Sequence, residues 1–231
     1  MIKLPADFFK WGEKMTAMQA KGFLDGTIVT IELTLISIAL GLIFGMLLAL
    51  ARISKSKVLR GITWTYVWVF RGTPLMLQLI IVYFAVPLMA NAITGNYLNV
   101  SMFGAAVIGL TLNTAAYLAE IFRAGILSID KGQMEAAKAL GMTYRQAMLK
   151  IIIPQTYRRV IPPFANEFIM ILKDTSLVIV IGLAELTRVS KQFAASGEWK
   201  FYFVAGAIYL FLTTISTFIF DKMEKHAARY E

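Results

Sequence analysis

Five largely apolar runs, 27–50, 62–91, 103–121, 164–183 and 201–220, alternate with charged segments along the chain. Each is close to or longer than the roughly 20 residues that an α-helix needs to cross a hydrocarbon layer about 30 Å thick. The pattern therefore predicts an all-α, polytopic membrane protein with five transmembrane helices. The second run is longer than one straight helix needs at about 1.5 Å per residue, and Arg71-Gly72-Thr73-Pro74 falls inside it. Glycine loosens a helix and proline is well placed in a first helical turn. The expectation is a short helix over 62–70 near the interface, a break, and then a span that begins near Leu75.

An odd number of spans puts the termini on opposite sides, and basic residues in short loops favour the cytoplasm. With the C-terminus inside, fourteen basic residues face the cytoplasm: Arg52, Lys55, Lys57 and Arg60, then seven between Arg123 and Arg159, then Lys222, Lys225 and Arg229. Seven face outward, which predicts N-terminus out and C-terminus in. The first run is too long for a signal-peptide core of about 7–15 residues, and acidic Asp7, Glu13 and Asp25 precede it, so it reads as an uncleaved span. Before it, Phe8, Trp11, Met15 and Met18 recur at helical spacing with Lys10 and Lys14 between them, as in a helix lying on the outer interface. The division that results is an external amphipathic segment 1–26, a transmembrane domain 27–221 with a cytoplasmic segment 127–160, and a cytoplasmic tail 222–231.

Composition sharpens this picture. Of 231 residues, 58% are apolar and 16% charged, with a mean hydropathy of +0.67; a soluble domain has roughly 45–50% and about 25%. The formal charge of +9 could point to nucleic acid, but the basic residues lie in the gaps between runs, not along one stripe. Topology accounts for them, and no nucleic-acid partner is expected. With no cysteine and one histidine, His226, neither a disulfide framework nor an imidazole metal site is available. There is no G-x-x-x-x-G-K-[ST] phosphate loop and no evident nucleophile–base pair. The chain is therefore read as a non-enzyme without a cofactor of its own.

The connection between the third and fourth runs carries the most information. Residues 132–140 are rich in strong helix formers, Gly141 is a natural C-cap, and 144–153 reads as a second helix ended by Pro154. An ordered connection of this length reads as a docking element. Glu135-Ala136-Ala137, Gly141, Ile151, Ile153 and Pro154 reproduce the pattern EAA-x3-G-x9-I-x-L-P, with isoleucine in place of leucine. That is the pattern of permease subunits of ABC importers, and the chain resembles this family. Phe70-Arg71-Gly72-Thr73-Pro74-Leu75, the stretch from Leu112 to Arg123, and Lys173-Asp174-Thr175-Ser176-Leu177 are similar to segments of its polar amino-acid branch.

The resemblance implies a type I importer permease with a five-span core in a bacterial cytoplasmic membrane. It implies work as a pair with a second permease, identical or paralogous, on two ATP-binding subunits that hold ATP-Mg, supplied by an extracytoplasmic solute-binding protein. By position, Glu135, Ala136, Ala137 and Gly141 inherit the coupling helix that sits on the ATPase. Small Ala136 and Ala137 would admit a close partner, Gly141 a sharp turn, and the Glu135 carboxylate could reach basic or backbone groups.

Charges inside apolar runs are expensive and usually face a cavity or a partner. Glu167 and Asp174 are seven apart, which on a helix puts both carboxylates on one face two turns apart, with Asn166 and Lys173 in a parallel row. Asn113, Tyr117 and Glu120 form a polar stripe on the third run. Glu120 is three residues from Arg123 and is expected to pair with it, while Arg71 is expected to snorkel near the inner interface or meet a helix C-terminus. The expected substrate pathway comprises Glu167, Asp174, Asn113, Tyr117, Thr73, Leu75, Lys173, Thr175 and Ser176. Lys173 can neutralise one carboxylate and a cationic substrate group can meet the other. The break at Thr73 could offer N–H groups to a substrate carboxylate, and Thr175 and Ser176 could add hydroxyls or merely bond back to their own helix. The resemblance implies inward transport of a polar amino acid by alternating access, and a basic one (arginine, lysine or histidine) would fit both carboxylates. The alternative is an ion-coupled secondary transporter that uses Asp174 and Glu167 as proton or sodium sites, which leaves the EAA pattern unexplained.

Overall fold

The computed structural model describes residues 15–195 and 197–228. Phe8 and Trp11 of the expected interfacial helix lie outside the described residues. Among the described residues the structure is helical and has no strand.

Helix α1 (Ala17–Ile53) opens on a capping box in which the Thr16 hydroxyl accepts the Gln19 N–H and the Gln19 side chain accepts the Thr16 N–H. It begins ten residues before the apolar run does, so residues 17–26 continue into the first span without a break. At 37 residues it is about 55 Å long. After it come α2 (Lys57–Gly72), α3 (Leu75–Ile80), a π turn (Ile81–Ala85) and α4 (Val86–Thr94), the last three forming one continuous rod. Helix α5 (Met102–Leu127) is capped by Ser101. The connection that follows holds α6 (Lys131–Ala139) and α7 (Tyr144–Ala147), then a π turn (Met148–Ile152) leads into α8 (Ile153–Asp174). A 3-10 turn (Thr175–Ile181), α9 (Leu186–Ala194) and α10 (Lys200–Ala228) complete the chain. Among the described residues four helical stretches are long and apolar enough to cross a bilayer: α1, the rod from Leu75 to Thr94, α5 and α10. Helix α8 is not one of them, because Arg158, Arg159, Glu167, Lys173 and Asp174 dilute its apolar surface.

One expectation about prolines is corrected. Pro154 does not end a helix: the chain stays helical from Tyr144 to Asp174, and the proline lies in the first turn of α8 directly after a π turn. Pro87 follows the other π turn in the same way. Proline removes one N–H and crowds the carbonyl four residues earlier, and the wider π turn before it relieves both demands.

The core lies where α1, α3, α5, α8 and the 3-10 turn meet, with Leu33, Leu79, Leu110 and Val178 fully buried. Helices α1 and α5 approach closely because α1 carries glycine at the contact. A β-carbon on Gly45 would stand 2.8 Å from Leu118 Cβ and 3.2 Å from the Ala115 carbonyl oxygen. At the other end of α1, Phe23 packs with Leu186, Val189 and Phe201 of α9 and α10.

Helix α2 is also placed differently from expectation. The Tyr66 hydroxyl donates to the Leu112 carbonyl at 2.7 Å, and Asn113 Nδ2 donates to the Phe70 carbonyl at 3.1 Å. Leu112 and Asn113 lie near the middle of the 26-residue α5. Helix α2 therefore descends along α5 to its midpoint instead of lying at the interface, and with the rod from Leu75 to Thr94 it forms one discontinuous path broken at mid-depth.

Candidate functional site

The break is built from the Thr73-Pro74 step. Thr73 is extended (φ −118°, ψ 147°) and Pro74 precedes the first turn of α3. The last carbonyls of α2 lose their helical partners there, and buried Gln78 replaces them. Its Nε2 lies 2.9 Å from the Phe70 carbonyl, 3.1 Å from the Thr73 carbonyl and 2.8 Å from Thr73 Oγ1. Its Oε1 in turn accepts Asn113 Nδ2 at 3.0 Å. Asn113 thus ties the break to α5. Sequence reading missed Gln78; the signal available was its place four residues after Pro74, where a side chain can reach back over an uncapped helix end.

Below this network the charged groups converge. The Arg71 guanidinium lies in the last turn of α2, at the helix C-terminus that is one of its two expected places, and 5.1 Å above the Tyr117 ring centroid near the middle of α5. Glu120 pairs with Arg123, as the spacing predicts, and also with Arg52 at the end of α1, at 3.6 Å. Two cavities meet at Arg71 and Glu120. One, of about 350 Å³, is walled by Arg52, Trp64 and Trp68; the other, of about 380 Å³, by Tyr117, Ser128 and Arg159.

Glu167 and Asp174 both fall on α8, so the two-turn relation between them holds in the structure. Glu167 is only 8% exposed and lies within electrostatic reach of Asp174 and Arg71. Lys173 is exposed and acts on half-buried Asp174. Asn166 shares the exposed row. Leu75 and Ser176 are half-buried near the break and the end of α8. Thr175 is not brought to the others: it is fully buried and its hydroxyl donates to the Leu172 carbonyl at 2.7 Å. Among the described residues no set of three histidine, aspartate or glutamate side chains is grouped to hold a metal ion.

On the α6–α7 connection, Gly141 has φ +78°, and the Met142 and Gly141 N–H groups close onto the Ala137 and Lys138 carbonyls at 3.0 and 2.9 Å. This is the left-handed cap that glycine favours. Glu135 and Ala136 are exposed, and Leu140 and Tyr144 stand out at 83% and 64% exposure. Ala137 is buried against its own chain.

The model of the family of binding-protein-dependent transport system inner membrane components matches residues 41–228. The chain belongs to this family. The match takes in every residue of the break, the charged cluster and the α6–α7 connection. Among its relatives, the arginine transport system permease protein ArtQ of Bacillus subtilis (strain 168) is 40% identical over 213 residues, 91% of this chain and 94% of that one. The glutamine transport system permease protein GlnP of Escherichia coli (strain K12) is 35% identical over 204 residues, 87% and 91% of the two chains. A crystal structure of an amino acid ABC transporter with histidines superimposes with a TM-score of 0.84 at 34% identity, covering 96% of this permease and 100% of that chain.

A second feature of the permease was not visible in its sequence. Glu185, fully buried, caps α9 by accepting the Thr187 and Arg188 N–H groups at 2.8 Å each, and the Tyr209 hydroxyl of α10 donates to it at 3.0 Å. Caps are usually sought as serine, threonine, aspartate or asparagine, so glutamate gave no local sign.

Proposed function

We propose that this chain is the membrane-spanning permease subunit of an ATP-driven importer that moves a polar amino acid, and by preference a basic one, inward by alternating access. The observation that carries the substrate class is the carboxylate pair on α8. Buried Glu167 and half-buried Asp174 on one face call for cationic partners, and a basic amino acid brings two. The arginine transport relative supports the same choice. The pathway is formed by Glu167, Asp174 and Lys173 on α8, Asn113 and Tyr117 on α5, Thr73 and Leu75 at the break, and Ser176.

In this reading α8 with its 3-10 turn supplies a fifth crossing, its charges turned to the pathway, and the N-terminus lies outside and the C-terminus inside a bacterial cytoplasmic membrane. The chain pairs with a second permease and receives substrate from an extracytoplasmic solute-binding protein. Two ATP-binding subunits holding ATP-Mg dock on Glu135, Ala136, Leu140 and the turn at Gly141. Hydrolysis belongs to those subunits.

The test is uptake of labelled L-arginine, L-lysine, L-histidine, L-glutamine and L-glutamate into proteoliposomes that hold the complete complex with ATP inside. ATP-dependent uptake of a basic amino acid is expected, reduced about tenfold or more by Glu167→Gln, the scale of one lost charge-assisted contact. Uptake of L-glutamate undiminished by Glu167→Gln, with no L-arginine uptake in either form, overturns the basic-substrate reading.

A further inference from the structure

The connection between α1 and α2 carries charge that the rest of the permease does not answer. Between Glu32 and Glu120 the chain has no acidic residue, yet Arg52, Lys55, Lys57 and Arg60 crowd into one short stretch of it. Arg52 turns to Glu120. Lys55, Lys57 and Arg60 are exposed, and among the described residues none of the three has an ion pair. Basic residues at the end of a membrane-spanning helix attract anionic lipid, each by about fivefold in affinity. The cations at the end of α10 differ, because Lys222 and Lys225 have Asp221 and Glu224 beside them in the chain.

Beside this connection the surface is hollow. A third cavity, of about 360 Å³, is walled by Phe44, Leu47 and Ala51 of α1, Tyr66 of α2, and Leu112 and Ala115 of α5. It shares no residue with the two cavities at Arg71. Ala51 lies in the last turn of α1, and Phe44 is seven residues, about 10 Å, deeper. The hydroxyl in the wall, that of Tyr66, is spent on the Leu112 carbonyl, so no side chain there is left to hold water or a polar solute. Phe44 and Leu47 are 50% and 58% exposed, which opens the cavity sideways. On α2, Ile62 and Leu59 stand four and seven residues before Tyr66, on the same face, and both are exposed. They continue the apolar surface from the cavity to the cations. An apolar slot that ends at three uncompensated positive charges is complementary to an anionic amphiphile.

We propose that the groove between α1, α2 and α5 binds one anionic phospholipid of the bilayer, with an acyl chain along Phe44, Leu47 and Tyr66 and the phosphate held by Lys55, Lys57 and Arg60. The bound chain fills the gap that the three helices leave, and so supports α2 on the side away from the charged cluster. This goes beyond the transport reading and does not depend on which solute is carried. In the orientation proposed above, the lipid belongs to the cytoplasmic leaflet.

The test is native mass spectrometry of the purified complex of permease and ATP-binding subunits, titrated with dioleoyl phosphatidylglycerol or dioleoyl phosphatidylcholine, which share their chains and differ in net charge. The wild-type complex is expected to bind phosphatidylglycerol about tenfold or more tightly than phosphatidylcholine. Lys55→Gln, Lys57→Gln and Arg60→Gln together should erase that preference, whereas Lys222→Gln with Lys225→Gln should leave it intact. Ala51→Phe fills the cavity without touching a charge and should weaken phosphatidylglycerol binding about tenfold; Leu48→Phe, in the same wall, serves if Ala51→Phe does not assemble. A photoreactive benzoylphenylalanine placed at Leu47 should cross-link phosphatidylglycerol. The proposal is overturned if the wild-type complex shows no preference, if the tail substitutions lower it as much as those in the connection, or if the filled cavity binds phosphatidylglycerol as well as the open one. An adduct at Leu47 with a second permease or an ATP-binding subunit also overturns it, since a protein then covers the groove. Amino-acid uptake is read separately, so the transport reading stands or falls on its own.

Discussion

Two side chains show how local chemistry governs this permease. Gln78 satisfies carbonyls at a helix end and binds the amide of Asn113. Gln78→Leu would leave buried polar groups unpaired, at a cost of about 1–3 kcal/mol, and a lower melting temperature of the purified complex should report it. Gly141 has open space around it, so its φ of +78° is what demands glycine. Gly141→Ala should strain the turn by about 1–2 kcal/mol. Stimulation of ATP hydrolysis by the solute-binding protein should fall while insertion and purification stay normal. Gly141 was legible in sequence because a C-cap is written within a few residues of its helix. Gln78 was not, since a lone glutamine in an apolar run has no periodic signature and its partners come from another helix. Glu120 was half legible: the pairing with Arg123 follows from spacing, whereas Arg52 is brought in by the packing of α1 on α5.

At the scale of elements, helix contacts rest on small residues. The α1–α5 seam admits no β-carbon at Gly45 without displacing Leu118 or the α5 backbone. Gly45→Ala should destabilise the permease by about 1–3 kcal/mol, as overpacked cores do, seen as a lowered melting temperature of the purified complex. Gly61→Ala, where nothing lies within 4 Å, is the control and should leave it nearly unchanged. The apolar runs announced α1, α5 and α10 because length and composition suffice for them. They did not announce the depth of α2: an amphipathic period says that one face is buried, and lipid headgroups or a neighbouring helix such as α5 satisfy it equally well. The π turns before Pro87 and Pro154 were hidden for a related reason, because the chain shows the proline but not the extra backbone room that lets the helix pass it.

For the whole molecule, the absence of cysteine from the chain makes single-cysteine chemistry clean. Leu140→Cys, at the most outstanding point of the α6–α7 connection, should cross-link to an ATP-binding subunit, and Met18→Cys, near the start of α1, should not. A membrane-impermeant maleimide applied to intact cells should label Met18→Cys and reach Leu140→Cys only after the membrane is opened. Labelling of both from outside would overturn the orientation proposed above. The pinned break carries a last consequence for how such a machine can move. Because Gln78 ties the end of α2 to the start of α3 and, through Asn113, to α5, the kink behaves mechanically as a welded elbow. Bending cannot be concentrated there without breaking several buried bonds together, so the inner and outer half-helices must swing as one lever, and the compliance of the transport cycle has to reside at the seams between helices.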